Sequence, residues 1–258
     1  MGAAVRPREK TMIGTFANAA MIVAGGCAGL LVKKGISRPL EAAVQKATGL
    51  AVIAIGLCGT LSNMLCVDTA TGKITSSGEL ILVFSLVIGV LVGESLGIEQ
   101  HLDRLGGTLE QKLHLTGFAQ SFVNGTLIYC VGAMAIVGSI SDGLLHDPST
   151  LITKGVLDGI TSIVLAAGMG PGVIFSAIPV LLYQGALTLG AGLLAPVLQG
   201  ELLREICAAG YILVGCIGVN FLAGESYHIK VANFLPGLLV PAAWAGCKAL
   251  LAFAGVFA

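Results

Sequence analysis

A carboxylate inside an apolar run must find a partner other than lipid, and Asp158 is such a residue, with Thr161 and Ser162 after it at helical spacing. Three oxygen-bearing side chains so placed could ligate a small cation, and Na⁺ at Asp158 is the ion this arrangement suggests. The competing reading puts Asp158 at the membrane interface, capping the N-terminus of its own helix.

Carboxamides form the second group. Asn18 and Asn124 each lie a few residues inside an apolar run, where an unpaired amide costs a few kcal/mol. They could line a path for an ion, or they could be interhelical hydrogen bonds of the ordinary kind. Gln184 lies beside Tyr183 and soon after Pro179, a position where backbone carbonyls are freed to coordinate an ion. Ser139, Asp142 and Glu94 complete the candidate path; the two acids stand near the ends of runs, where capping or interfacial solvation explains them equally well. Asn220 reads as a helix-packing residue.

Other chemistry finds little support. There is no Ser/His/Asp set, no H-E-x-x-H and no Gly-rich phosphate loop between strand and helix, so an enzyme is not expected, nor nucleotide hydrolysis, nor a cofactor. The seven cysteines are odd in number, form no C-x-x-C, and mostly lie within apolar runs, where a thiol behaves as a small hydrophobe. His101, His114, His146 and His228 all fall outside those runs, which leaves little for a metal cage. A formal net charge of zero without a Lys/Arg cluster argues against a nucleic-acid footprint.

The elements that must hold these residues are membrane spans. Only 11% of the 258 residues are charged, against about 25% in soluble domains, and mean hydropathy is +0.93. A run of about 20 apolar residues crosses the hydrocarbon as a helix. Such runs occur near 12–32, 49–66, 79–97, 118–140, 155–169, 173–196 and 206–223, and an eighth, 231–258, is interrupted by Pro236, Pro241 and Lys248 and either spans or enters and returns. The expected fold is therefore all-α, a polytopic transmembrane bundle of seven or eight spans in one domain over 12–258, with the bilayer as its first partner and a homo-oligomer as an open option. Residues 1–11 read as an extension, 68–78 as a loop, and 98–115 as an amphipathic or solvated surface helix. The short fifth run beside the Pro/Gly-interrupted sixth is the pattern of broken transporter helices.

The two halves show an ordered self-similarity. Phe16-Ala17-Asn18 matches Phe122-Val123-Asn124, Thr48-Gly49-Leu50 sits against Asp158-Gly159-Ile160, and Val83-Phe84-Ser85 against Ile174-Phe175-Ser176. Three spans separate the equivalent starts, so repeats over 12–98 and 118–196 would be inverted, with 206–258 as additional spans. Lys33, Lys34, Arg38 and Lys46 favour a cytoplasmic first link and an outside N-terminus, while Arg6, Arg8 and Lys10 pull the other way.

Three stretches carry a family resemblance: MIGTFANAAMIVAGGCAGLLVKKG (12–35), CVGAMAIVGSISDG (130–143) and KGVLDGITSIVLAAGMGPGVIFSAIPVLLYQG (154–185). With them the chain, from Met12 onward, resembles the YqgA/YdfK-like bacterial membrane proteins, domain-of-unknown-function family 554. The resemblance implies a multi-pass protein of the bacterial inner membrane, described no further than as a candidate sodium channel or pump. Its recurrent positions would be Asn18, Gly132, Ser139, Asp142, Gly143, Asp158, Gly159, Ser176, Pro179, Tyr183, Gln184 and Gly185, with no role attached to any. The function expected is gradient-driven movement of a small ion along Asp158, Asn18, Asn124 and Gln184; the alternative is a membrane scaffold or assembly protein whose interior polar residues serve packing.

Overall fold

The computed structural model describes residues 12–34, 37–67, 72–101, 104, 117–223 and 227–253. The N-terminal extension, most of the surface helix expected over 98–115 and the last residues of the chain lie outside this set. Almost every described residue is helical. Helix α1 covers Ile13–Lys34, α2 Arg38–Met64 and α3 Glu79–Leu96. Next come α4 (Phe118–Cys130), α5 (Ala133–Leu145) and α6 (Ser149–Met169). The short α7 (Gly172–Phe175) leads into α8 (Ala177–Leu189), followed by α9 (Ala191–Leu194) and α10 (Gly200–Ala223). A 3-10 segment, Val231–Leu239, runs into α11 (Val240–Phe253).

Six of these stretches are long and apolar enough to cross a bilayer: Ile13–Lys33, Ala42–Met64, Glu79–Leu96, Ser149–Met169, Gly172–Leu189 and Gly200–Ala223. A seventh would be the pair α4 and α5, which meet at a 62° bend. Among the described residues six or seven candidate spans are thus found, meeting the expected seven or eight at seven; the terminal run does not add an eighth there, being split into a 3-10 segment holding Pro236 and a 14-residue helix. Large side chains such as Leu31, Leu80, Leu91, Leu182 and Leu193 point outward, as a lipid-facing surface requires.

Two expected boundaries move. The fourth run, read as one span over 118–140, breaks at Val131-Gly132, where Gly132 takes φ 119°, a conformation that a side chain resists. The sharp bend thus falls in this run, while the Pro/Gly-interrupted sixth run shows a lesser interruption at Ser176, between α7 and α8. The fifth run is no longer short: α6 starts at Ser149, directly after Pro148, with the Asp147 carboxylate accepting the Ser149 N–H at 3.0 Å. Of the expected 68–78 loop, residues 68–71 lie outside the described set and Ile74–Ser76 form a strand, β2, which pairs antiparallel with β1 (Leu65–Val67).

Glycine sets the helix pairing. Helix α1 packs along α6, and a β-carbon built on Gly25 would stand 2.0 Å from the Gly159 carbonyl oxygen, closer than any real contact. Small residues four apart let the backbones touch and gain dispersion where no hydrophobic effect operates between helices. Helix α2 lies along α10 and α3 along the 3-10 segment through similar glycine contacts. An inverted repeat equating the first span with the fourth, and the second with the fifth, would set α4 along α2 as α1 lies along α6. Since α2 lies along α10 instead, the packing does not confirm the repeat. The apolar core formed between these pairs includes Ile22, Val52, Tyr129, Leu165, Val180 and Ile217.

Candidate functional site: a buried polar track between three helices

Helix α1 lies between α6 and α8, and its polar side chains face both. Asn18 Nδ2 donates to Gln184 Oε1 at 3.1 Å, and both residues are fully buried. One turn earlier, the Thr15 and Thr188 hydroxyls stand 3.4 Å apart. At the start of α1, the Gly14 N–H donates to Asp142 Oδ2 at 3.3 Å. The spacing explains the alignment: 15 and 18 share one face of α1, and 184 and 188 share one face of α8. Asp142 supplies an acceptor to the open N-terminus of α1, from a different helix, and its charge suits that end of the dipole. Capping is what its position near a run end suggests, but the helix it caps is not its own.

Asp158 sits beside Asn18, and its carboxylate is paired with the Lys154 ammonium one turn earlier on α6. Both residues are buried, at 9% and 5% exposure. Ser162, a further turn along, accepts or donates a 2.7 Å bond with the Tyr129 hydroxyl of α4 and donates to the Asp158 carbonyl at 2.7 Å. Residues 154, 158 and 162 thus form a polar stripe on the inner face of α6. Asp158 is inside the bundle rather than at an interface. Its partner is a lysine, not the two hydroxyls: Thr161 turns away to the Leu157 carbonyl at 2.8 Å.

The other expected path residues divide. Asn124 is buried on α4 with Nδ2 lacking a partner among the described residues, and no described hydrogen bond joins it to Asn18. Ser139 is fully buried on α5, its hydroxyl likewise without a partner among the described residues. Tyr183 belongs to a separate apolar cluster with Ile136, Leu187, Leu203 and Cys207. Glu94 lies apart, half-exposed at the end of α3, in an ion pair with Lys230 at 3.0 Å. Asn220 clamps the approach to the 3-10 segment, bonding both the N–H and the carbonyl of Ile229 at 2.8 Å.

Four residues escape the sequence reading: Lys154, Thr15, Thr188 and Tyr129. Lys154 had a readable signal, since Lys and Asp four apart on a helix are neighbours. The unmet valences are informative too. Within the Asn18–Gln184 pair, Asn18 Oδ1 and Gln184 Nε2 have no partner among the described residues, and buried polar groups seldom go without one. Among the described residues no three His, Cys, Asp or Glu side chains gather as metal ligands. A cation here would rest on one carboxylate plus amide and hydroxyl oxygens.

Comparison with known proteins agrees with this picture of a membrane bundle and adds no activity. The "Uncharacterized membrane protein YdfK" of Bacillus subtilis (strain 168) is 31% identical over 230 residues, covering 89% of this chain and 94% of that protein. The "Uncharacterized protein YqgA" of Escherichia coli (strain K12) is 26% identical over 244 residues, covering 90% of this chain and 97% of the relative. No solved structure matches. The family model described as "Protein of unknown function (DUF554)" matches residues 13–245, and the chain belongs to that family of membrane proteins.

Proposed function

We propose that this protein moves a small cation across the membrane, with Na⁺ the first ion to test, along a track formed by Asp158, Asn18 and Gln184. One observation carries the reading: a lysine and an aspartate, both buried within one membrane-spanning helix, lie next to carboxamides with unmet hydrogen-bonding capacity. Ionisable residues inside a bundle are costly, and they mark ion or proton pathways more often than they hold structure. An i,i+4 pair within a single helix ties no two helices together, so packing does not account for it. A cation gradient would drive the movement, since the sequence holds no nucleotide-binding motif. The bacterial inner membrane is the proposed location.

The scaffold alternative draws on a different observation. Asn18–Gln184, Thr15–Thr188 and Gly14–Asp142 do join α1 to its neighbours, as helix-fastening bonds would. The two readings separate on purified protein in sealed liposomes. Under an imposed gradient, ²²Na⁺ uptake above protein-free vesicles that is lost in Asp158→Asn supports transport. Uptake indistinguishable from empty vesicles for Na⁺, K⁺ and Li⁺, and unchanged by that substitution, would dismiss it in favour of the scaffold.

A further inference from the structure

We infer that Lys154 is a built-in stand-in for an external cation: its ammonium occupies the cation subsite at Asp158, and a small monovalent cation binds by displacing it. The inference rests on the site proposed above and specifies how that site is occupied and emptied.

Three features support it. First, the lysine joins no two helices, since its ion pair lies within α6, and a buried ion pair is often no more stabilising than apolar residues of equal volume. Second, the site has oxygen to spare while Lys154 is in place. Asn18 is fully buried beside Asp158, and its Oδ1 accepts nothing from the described residues, although an ammonium could satisfy it. A hard cation bound at the Asp158 carboxylate would find that oxygen as a further ligand. Third, the displaced group is suited to leaving. A lysine carries a compact positive charge on a flexible four-carbon stem, so it can swing away without disturbing the helix. Ammonium and ion cannot both rest on one carboxylate in a low-dielectric interior, because two like charges a few ångströms apart repel strongly there. Occupancy is therefore an exchange at the carboxylate, one positive charge for another, and binding of the cation has to offset the cost of leaving the ammonium without its partner.

The test uses the full chain in mild detergent, comparing wild type with Lys154→Gln and Lys154→Met. Unfolding temperature is followed against NaCl or KCl, with choline chloride holding ionic strength constant, since a ligand that binds the native state raises it. Removing the competitor should lower the half-saturating alkali cation concentration by a factor of about ten or more. The double variant Lys154→Gln/Asp158→Asn should show no specific response. If both single variants are folded and respond no better than wild type, the displacement idea is wrong. A variant that folds only when prepared in NaCl or KCl supports it, and one that folds in neither salt nor choline counts against it. Failure of the transport reading would look different: no liposome flux by wild type, alongside a cation response in Lys154→Gln that persists. Flux by wild type without any such response would remove the displacement alone.

Discussion

Breaking the Lys154–Asp158 pair from one side should be far more damaging than removing it whole. The side chains are 7% and 13% exposed, so either charge, left alone, stays in the interior. Asp158→Asn keeps the volume and the helix but leaves the ammonium facing a neutral amide. A buried charge stranded this way costs about 3–5 kcal/mol. For a chain of this size, about 1 kcal/mol shifts the midpoint by about 2–4 °C, which puts the expected loss on the order of 10 °C. Lys154→Met should lose a comparable amount by stranding the carboxylate. The double variant, with no charge left to strand, should lie within about 1 kcal/mol of wild type, giving a coupling of a few kcal/mol. Scanning fluorimetry in choline chloride at a fixed scan rate, or reversible unfolding by a titrated denaturant, measures all four corners of the cycle. If the double variant loses the sum of the single losses, the residues act independently and the pair is not the unit described here.

Further predictions concern other parts of the fold. Replacing Gly25 by Leu should separate α1 from α6 and abolish recovery of folded protein by size-exclusion chromatography, since even a β-carbon there meets backbone at 2.0 Å. Gly132→Ala should destabilise by at least about 1–2 kcal/mol, through its positive φ and a clash at 2.6 Å with the Tyr211 hydroxyl; in a Tyr211→Phe background the thermal midpoint should fall less. Cys66 lies in β1 outside the spans, where hydrogen bonds from Ser77 and Arg204 hold its thiol below the ordinary value of 9.0. A lowered thiol pKa means more thiolate at neutral pH, so alkylation of Cys66, followed by peptide mass spectrometry, should reach half its maximal rate below pH 9.0, and Arg204→Ala should move that midpoint upward. Asn220→Ala removes two bonds to Ile229 and should speed protease cleavage near residue 229, with a stability loss of about 1–3 kcal/mol.

Hydropathy alone shows six of the spans, because the lipid imposes length and composition on a helix before any tertiary contact does. It cannot show the bend at Gly132, since a chain that turns within an apolar run stays apolar. Asp158, Asn18 and Gln184 stand out by type, as polar residues in apolar surroundings. That Asn18 meets Gln184, while Asn124 makes no described bond to Asn18, depends on which helices pack together, and the glycine contacts between α1 and α6 decide that. Lys154 is hidden by hydropathy: the apolar run begins at Gly155 and leaves the lysine in a link, whereas Asp147-Pro148-Ser149 is itself a helix-start signal. Glu94 and Tyr183 show the opposite limit. A polar residue near a run end or beside a proline is compatible with a path, yet an ion pair with Lys230 and an apolar cluster are where these two reside.

The bend at Gly132 also has an electrical consequence. Helices α4 and α5 have 13 residues each, about 20 Å apiece, so neither alone crosses a hydrocarbon layer of roughly 30 Å. A helix that stops partway carries its pole to that depth, and the C-terminal pole is equivalent to about half a negative charge. Cys130, the last residue of α4, lies within coulombic reach of both Lys154 and Asp158. The N-terminal pole of α5, opening at Ala133, meets that C-terminal pole at the same break, so the bend sets partial backbone charges of both signs side by side at that depth, a dipole that no formal charge count reveals.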